Sequence, residues 1–144
     1  MTLGPTLSIT TSDHADLQRH LFPGDGLEAA AILICGRAGA KHERLCVHRF
    51  IDVPYNDCPT RTPVQLVWPG EYLETAIDAA DKIGGSIILI HSHPGGLFDF
   101  SHIDDASDAS AIPALRHGSA DEAIKHGSAI MVPGGAIKAR LYNA

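Results

Sequence analysis

Two histidines separated by one residue, His91 and His93, are followed at once by Pro94-Gly95-Gly96. They close a run of β-branched and leucine side chains, Ser86 to Ile90, that reads as a strand buried on both faces. Alternate residues of a strand point to one face, so the two imidazoles project together. Two imidazole nitrogens on one face can share a tetrahedral metal ion. Pro94 cannot continue the hydrogen-bond ladder, and the glycines let the chain turn away. The histidines thus stand at the carboxyl end of a strand, where α/β sheets place ligand sites.

Ser101-His102-Ile103-Asp104 comes next. A helix starting at Ser101 carries Asp104 in its first turn, where the helix dipole favours an acid. The loop from Pro94 to Phe100 lets that helix fold back over the strand end. His91, His93 and Asp104 then make three protein ligands, with water in the fourth position. That is the catalytic form of a zinc site, not the closed structural form. Zinc lowers the pKa of such a water to roughly 7. Asp105 competes as ligand but points about 100° further round the helix. The S-x-x-[DE] spacing is also a capping pattern, and a capping serine can still sit at a site.

Hydrolysis needs a group that takes and returns protons. Glu28 is the candidate: it is the one acid at the head of the apolar run Leu27 to Cys35. A carboxylate there must find a partner or shift its pKa. Spacing alone does not bring it to the histidines. Glu43, Glu71 and Glu74 are rivals, the last two fitting a solvated helix face. Ser101 could donate to a developing oxyanion or hold the water. His102 reads as a solvent-exposed group or as one that supports a ligand from behind, not as a ligand itself, and Asp108 reads as a surface group. His14, His20, His42, His48, His117 and His126 read as surface or core.

The elements that must position these residues follow from pattern. Leu7 to Thr10 alternates as a short strand, and Ser12 or Asp13 caps a helix to about His20. In Leu27 to Cys35 the alanines leave helix and strand open; Ile32 to Cys35 before Gly36 favours a buried strand. Arg44 to Val53 is a second core strand, paired through the Gly39 turn. Asp57 to Pro63 is a loop and Val64 to Trp68 a short strand. Glu71 to Ile83 is an amphipathic helix closed by Gly84-Gly85. The helix from Ser101 ends near Ser110, before Pro113. Asp121 to Lys125 forms a helical turn, and Ser128 to Val132 with Ala136 to Leu141 a closing hairpin.

With 144 residues the chain suits one domain, 44% hydrophobic and 19% charged. Its 17 acidic against 11 basic residues give a net charge of −6, which argues against nucleic acid. Cys35, Cys46 and Cys58 are odd in number and match no C-x-x-C pair. They read as buried apolar groups in a reducing cytoplasm. Neither a signal peptide nor a run of the ~20 apolar residues of a membrane span is evident.

At His91-x-His93-Pro94-x6-Ser101-x2-Asp104, with Glu28 far upstream, the chain resembles the JAMM motif of the JAB/MPN+ zinc metalloproteases, bacterial members in particular. The resemblance implies an α/β fold of MPN type, cytidine-deaminase-like, with a mixed β-sheet flanked by helices, as one domain over 1–144. It implies one zinc ion on His91, His93 and Asp104. Glu28 would be general base and then general acid, and Ser101 would stabilise the tetrahedral intermediate. It further implies a deubiquitinase-like isopeptidase cutting after the C-terminal glycine of a ubiquitin-like protein. A narrow groove over Gly95 and Gly96 would admit only glycine. Leu97, Phe98 and Phe100 are either core or a lid that touches substrate. The expected partners are the ubiquitin-like protein or its conjugates, with ubiquitin-activating-like and conjugating-like enzymes of the same system, including antiviral ones. The alternatives are a RadC-like JAB protein and a non-catalytic zinc-binding MPN scaffold.

Overall fold

The computed structural model describes residues 4–143. Eight strands and three α-helices run in the order β1 (Thr6–Ser8), α1 (Thr11–Leu21), β2 (Ala30–Ala38), β3 (Arg44–Asp52), β4 (Thr60–Arg61), β5 (Leu66–Val67), α2 (Glu71–Asp81), β6 (Ser86–Ser92), α3 (His102–Gly118), β7 (Gly127–Met131) and β8 (Ile137–Leu141). Six strands form one mixed sheet in the order β1-β3-β2-β6-β7-β8; β4 and β5 form a separate ribbon. β2 runs antiparallel to β6, and β6 runs parallel to β7. The expected mixed sheet flanked by helices is present.

Alternation along β2 and β6 divides the core. Leu33, Ile88 and Ile90 pack with Leu17 and Leu21 of α1. Ile32, Ile34, Ile87 and Leu89 pack with Ala76 and Ala80 of α2 and with Ile112 and Leu115 of α3. His91 continues the parity of Ile87 and Leu89, so it emerges on the side of α2 and α3. Ser92 takes the opposite parity and is fully buried.

Several boundaries differ from the sequence reading. Thr10, not Ser12 or Asp13, caps α1; its Oγ1 accepts from the Asp13 N–H at 3.1 Å. Residues 57–63 are not all loop, because Thr60–Arg61 pairs with Leu66–Val67. Asp121 to Lys125 is turn rather than helix. The largest difference is α3, which runs through Pro113 to Gly118. Proline removes one bond, to the carbonyl four residues back. Here that carbonyl belongs to exposed Ala109, where water can replace the bond. Ile112 and Leu115 meanwhile bury against the sheet and hold the helix together.

β8 can follow β7 closely because residue 127 is glycine. A Cβ there would lie 2.0 Å from the Arg140 carbonyl oxygen. Just before it, His126 is 2% exposed. Its Nδ1 accepts from the Ile87 N–H at 2.9 Å, and its Nε2 lies 3.3 Å from Ser119 Oγ. That pairing needs the neutral ring. Burial pushes its pKa down from 6.5 to about 4. The unfolded chain therefore binds this proton first on acidification. Stability should be intact above pH 6.5 and fall as the pH drops toward 4, by about 1.4 kcal/mol per unit inside that window. Denaturant unfolding at pH 7, 6 and 5 measures this. His126→Gln should flatten the decline; an unchanged slope would assign it elsewhere.

Among the described residues no helix is long and apolar enough to cross a membrane.

Candidate metal centre

The strand β6 delivers His91, and its continuation delivers His93, whose N–H donates to the Met131 carbonyl at 2.8 Å. The two Nε2 atoms stand 3.0 Å apart. Gly96 then closes the turn with φ +88°, its N–H donating to the His93 carbonyl at 3.0 Å. Leu97 supplies the backbone oxygen that meets His93 Nδ1 at 2.8 Å. A carbonyl only accepts, so Nδ1 carries the hydrogen and the Nε2 lone pair points the other way.

What it points at is Asp104. Ser101 caps α3 in a reciprocal box: its Oγ accepts from the Asp104 N–H at 3.1 Å, and its N–H donates to Asp104 Oδ2 at 2.8 Å. The carboxylate so oriented lies 2.9 Å from His91 Nε2 and 3.1 Å from His93 Nε2. Burial alone would raise the Asp104 pKa. The contacts to His91 and His93 overcome it and hold the carboxyl well below the usual range. His93 is raised in turn, first by Asp104. Asp105, the rival ligand, is exposed and paired with Arg140 at 2.8 Å instead.

Glu28 lies two residues before β2, not within it. Its N–H donates to the Thr62 carbonyl at 2.9 Å and its carbonyl accepts from Arg61 Nε at 2.7 Å. The next residue, Ala29, is stitched to Ser92: Ala29 N–H to Ser92 Oγ at 2.9 Å and Ser92 N–H to the Ala29 carbonyl at 3.0 Å. The side chain is 5% exposed, and burial raises its pKa against the opposing pull of His91 and His93. Ligand atoms of Glu28, His91 and His93 all come within 4.8 Å of one another, so this group could hold a metal ion.

The donor set fits zinc. Ligand atoms on a tetrahedron with bonds of about 2.0–2.1 Å stand about 3.3 Å apart. The two Nε2 atoms, 3.0 Å apart, are close to that, and the Asp104 carboxylate faces them with one oxygen each, Oδ1 at 2.9 Å from His91 and Oδ2 at 3.1 Å from His93. A lone pair fixed against a carboxylate is unfavourable unless a cation or proton sits between them.

A cleft of about 400 Å³ opens beside the group. It is lined by Glu28, His91 and Asp104, by Leu66, Val67 and Trp68, by Ile103, Ser107, Ala111 and Ala114 of α3, and by Leu89. Gly95, Gly96 and Phe98 lie outside it in the exposed turn. Phe100, also outside, packs its ring 3.8 Å beneath the Arg140 guanidinium. Leu97 and Phe98 are 58% and 47% exposed, so neither is core.

Sequence reading missed four residues around the site. Asp108, read as surface, is buried and accepts from Ser128, Arg140 and Tyr142. Arg61 and Ser92 fix the Glu28 backbone, and Arg140 holds the start of α3. Only Asp108 had a signal, its spacing of one turn from Asp104. Of the cysteines Cys35 is buried, but Cys46 is exposed and Cys58 half-buried.

The family described as prokaryotic homologs of the JAB domain matches residues 11–141. The solution structure of a Desulfitobacterium hafniense protein is similar with a TM-score of 0.61 and 17% identity, over 96% of this chain and 84% of that one. That likeness concerns the fold. No curated protein matches in sequence.

Proposed function

Since the chain belongs to the prokaryotic homologs of the JAB domain, we propose that it is a zinc-dependent isopeptidase or protease that cleaves after the C-terminal glycine of a ubiquitin-like protein. The observation that carries this is the convergence of His91 Nε2, His93 Nε2 and the Asp104 carboxylate beside buried Glu28. In this reading the first three hold zinc. Zinc would supply Lewis acidity, lowering the pKa of water and polarising the scissile carbonyl.

The chain's own residues do the rest. Glu28 takes the proton from the attacking water and returns it to the leaving amine nitrogen. Its buried place beside the two imidazoles suits both halves of that task. Ser101 Oγ accepts from the Asp104 N–H, which leaves its hydrogen free for the developing oxyanion. The Leu97 carbonyl keeps His93 in the tautomer a metal needs.

The cleft suits an extended tail. From Asp104 to Ala114 α3 advances about 15 Å, the length of four or five extended residues. β5 pairs with β4 in a two-stranded ribbon, and a tail along the other side of β5 would add a third strand. Ubiquitin-activating-like and conjugating-like enzymes would make the conjugates on which such an enzyme acts.

The test is a ubiquitin-like protein fused through its terminal Gly-Gly to a reporter. Zinc-loaded enzyme should release the reporter at that glycine. Bulky residues in place of the glycines should abolish release; tolerance of them would sink the proposed specificity.

A further inference from the structure

The first two turns of α3 carry Asp104, yet the side chains they bury are Asp104 and Asp108. The buried apolar residues of this helix, Ile112 and Leu115, come later. Hydrophobic burial therefore fastens the far half of α3, and the half bearing Asp104 is held by polar contacts. Those contacts converge on Arg140 of β8. One guanidinium nitrogen donates to Asp105 Oδ1 at 2.8 Å and another to Asp108 Oδ2 at 2.7 Å. These partners stand one residue and one turn after Asp104. The guanidinium also lies 3.8 Å over the ring of Phe100, the residue before the helix cap. Asp108 is itself anchored by Ser128 Oγ at 2.5 Å and Tyr142 Oη at 2.8 Å. Arg140 thus grips the chain on both sides of Asp104.

We infer that Arg140 is a positioning residue for the metal: by fixing the first turns of α3 it sets where the Asp104 carboxylate stands relative to His91 and His93. This rests on the reading of those three residues as zinc ligands. Coulomb's law gives an independent handle, because it predicts the opposite sign. Removing a cation beside a divalent-metal site should tighten binding if charge alone matters. Loss of positioning should weaken it, as loss of groups that orient metal ligands does, by roughly 10- to 100-fold. Lysine keeps the charge but lacks the planar fork that spans two carboxylates and stacks on a ring.

The experiment is zinc titration of the full chain against a chromophoric chelator, with thermal unfolding of the metal-free protein in parallel. Arg140→Gln should raise the zinc dissociation constant roughly 10- to 100-fold while metal-free protein still unfolds cooperatively. Arg140→Lys should also weaken zinc, by a smaller factor, and decides the matter alone if Arg140→Gln does not fold. Zinc affinity unchanged or tightened in these variants would overturn the inference. A wild-type chain that takes up no stoichiometric zinc would instead overturn the metal reading on which it rests.

Discussion

Glu28→Gln is expected to keep one zinc per chain while losing turnover roughly 100- to 10,000-fold, the span a positioned acid–base group contributes. The substitution preserves shape and removes only the ability to exchange a proton. The backbone at residue 28 is held by Thr62 and Arg61, and at residue 29 by Ser92. None of these contacts involves the Glu28 carboxylate, so glutamine should sit where glutamate sits. The same geometry admits a rival role, since Glu28 is near enough to the imidazoles to act as a fourth ligand. A fourth protein ligand would make a closed, structural site. The two roles separate cleanly. As ligand, Glu28→Gln loses zinc and turnover together; as proton carrier, it loses turnover alone. Zinc content after gel filtration and a single-turnover cleavage assay read the two quantities. Full activity in the variant would remove Glu28 from the mechanism.

His91→Ala should abolish stoichiometric zinc, cleavage and the zinc-dependent rise in thermal stability at once. At zinc 100-fold above the dissociation constant, a ligand that binds only the folded state adds about 2.7 kcal/mol. For a domain of this size that is an increase in Tm of about 8–10 °C. His91 is a cleaner choice than His93, whose Nδ1 also ties the loop to the Leu97 carbonyl. Among the described residues the group placed to hold a metal ion, Glu28 with His91 and His93, contains no cysteine. Without His91 the buried Asp104 carboxylate loses its 2.9 Å partner, so some metal-free stability should go as well. Scanning with and without zinc separates the two losses. Stoichiometric zinc in His91→Ala would place the metal somewhere else.

Much of this site is written locally. The i, i+2 spacing of His91 and His93 fixes their common face as soon as the β-branched run before them is read as a strand. The capping spacing from Ser101 to Asp104 turns out to be a true capping box, and that box is what aims the Asp104 carboxylate. Asp105, one residue on, is carried away from the histidines to Arg140, as the helix rotation requires. Glu28 is different. It reaches the histidines only because β2 lies antiparallel to β6, with Ala30 opposite His91. Strand pairing is a tertiary choice that no local pattern encodes. For the same reason Arg140, 36 residues beyond Asp104 along the chain, gave no sign of its grip on α3. Asp108 was misread because its partners come from β7 and from the end of the chain, at Ser128, Arg140 and Tyr142. Pro113 misled in the other direction. A proline normally ends a helix, but here Ile112 and Leu115 bury on either side of it.

Anomalous scattering at the zinc edge from crystals of the zinc-loaded protein locates the metal and its ligands. One peak per chain is expected, bonded to His91 Nε2, His93 Nε2 and Asp104, with the Glu28 carboxylate nearby but outside bonding distance. A peak at the cysteines, or one bonded to Glu28 as a fourth protein ligand, would contradict it.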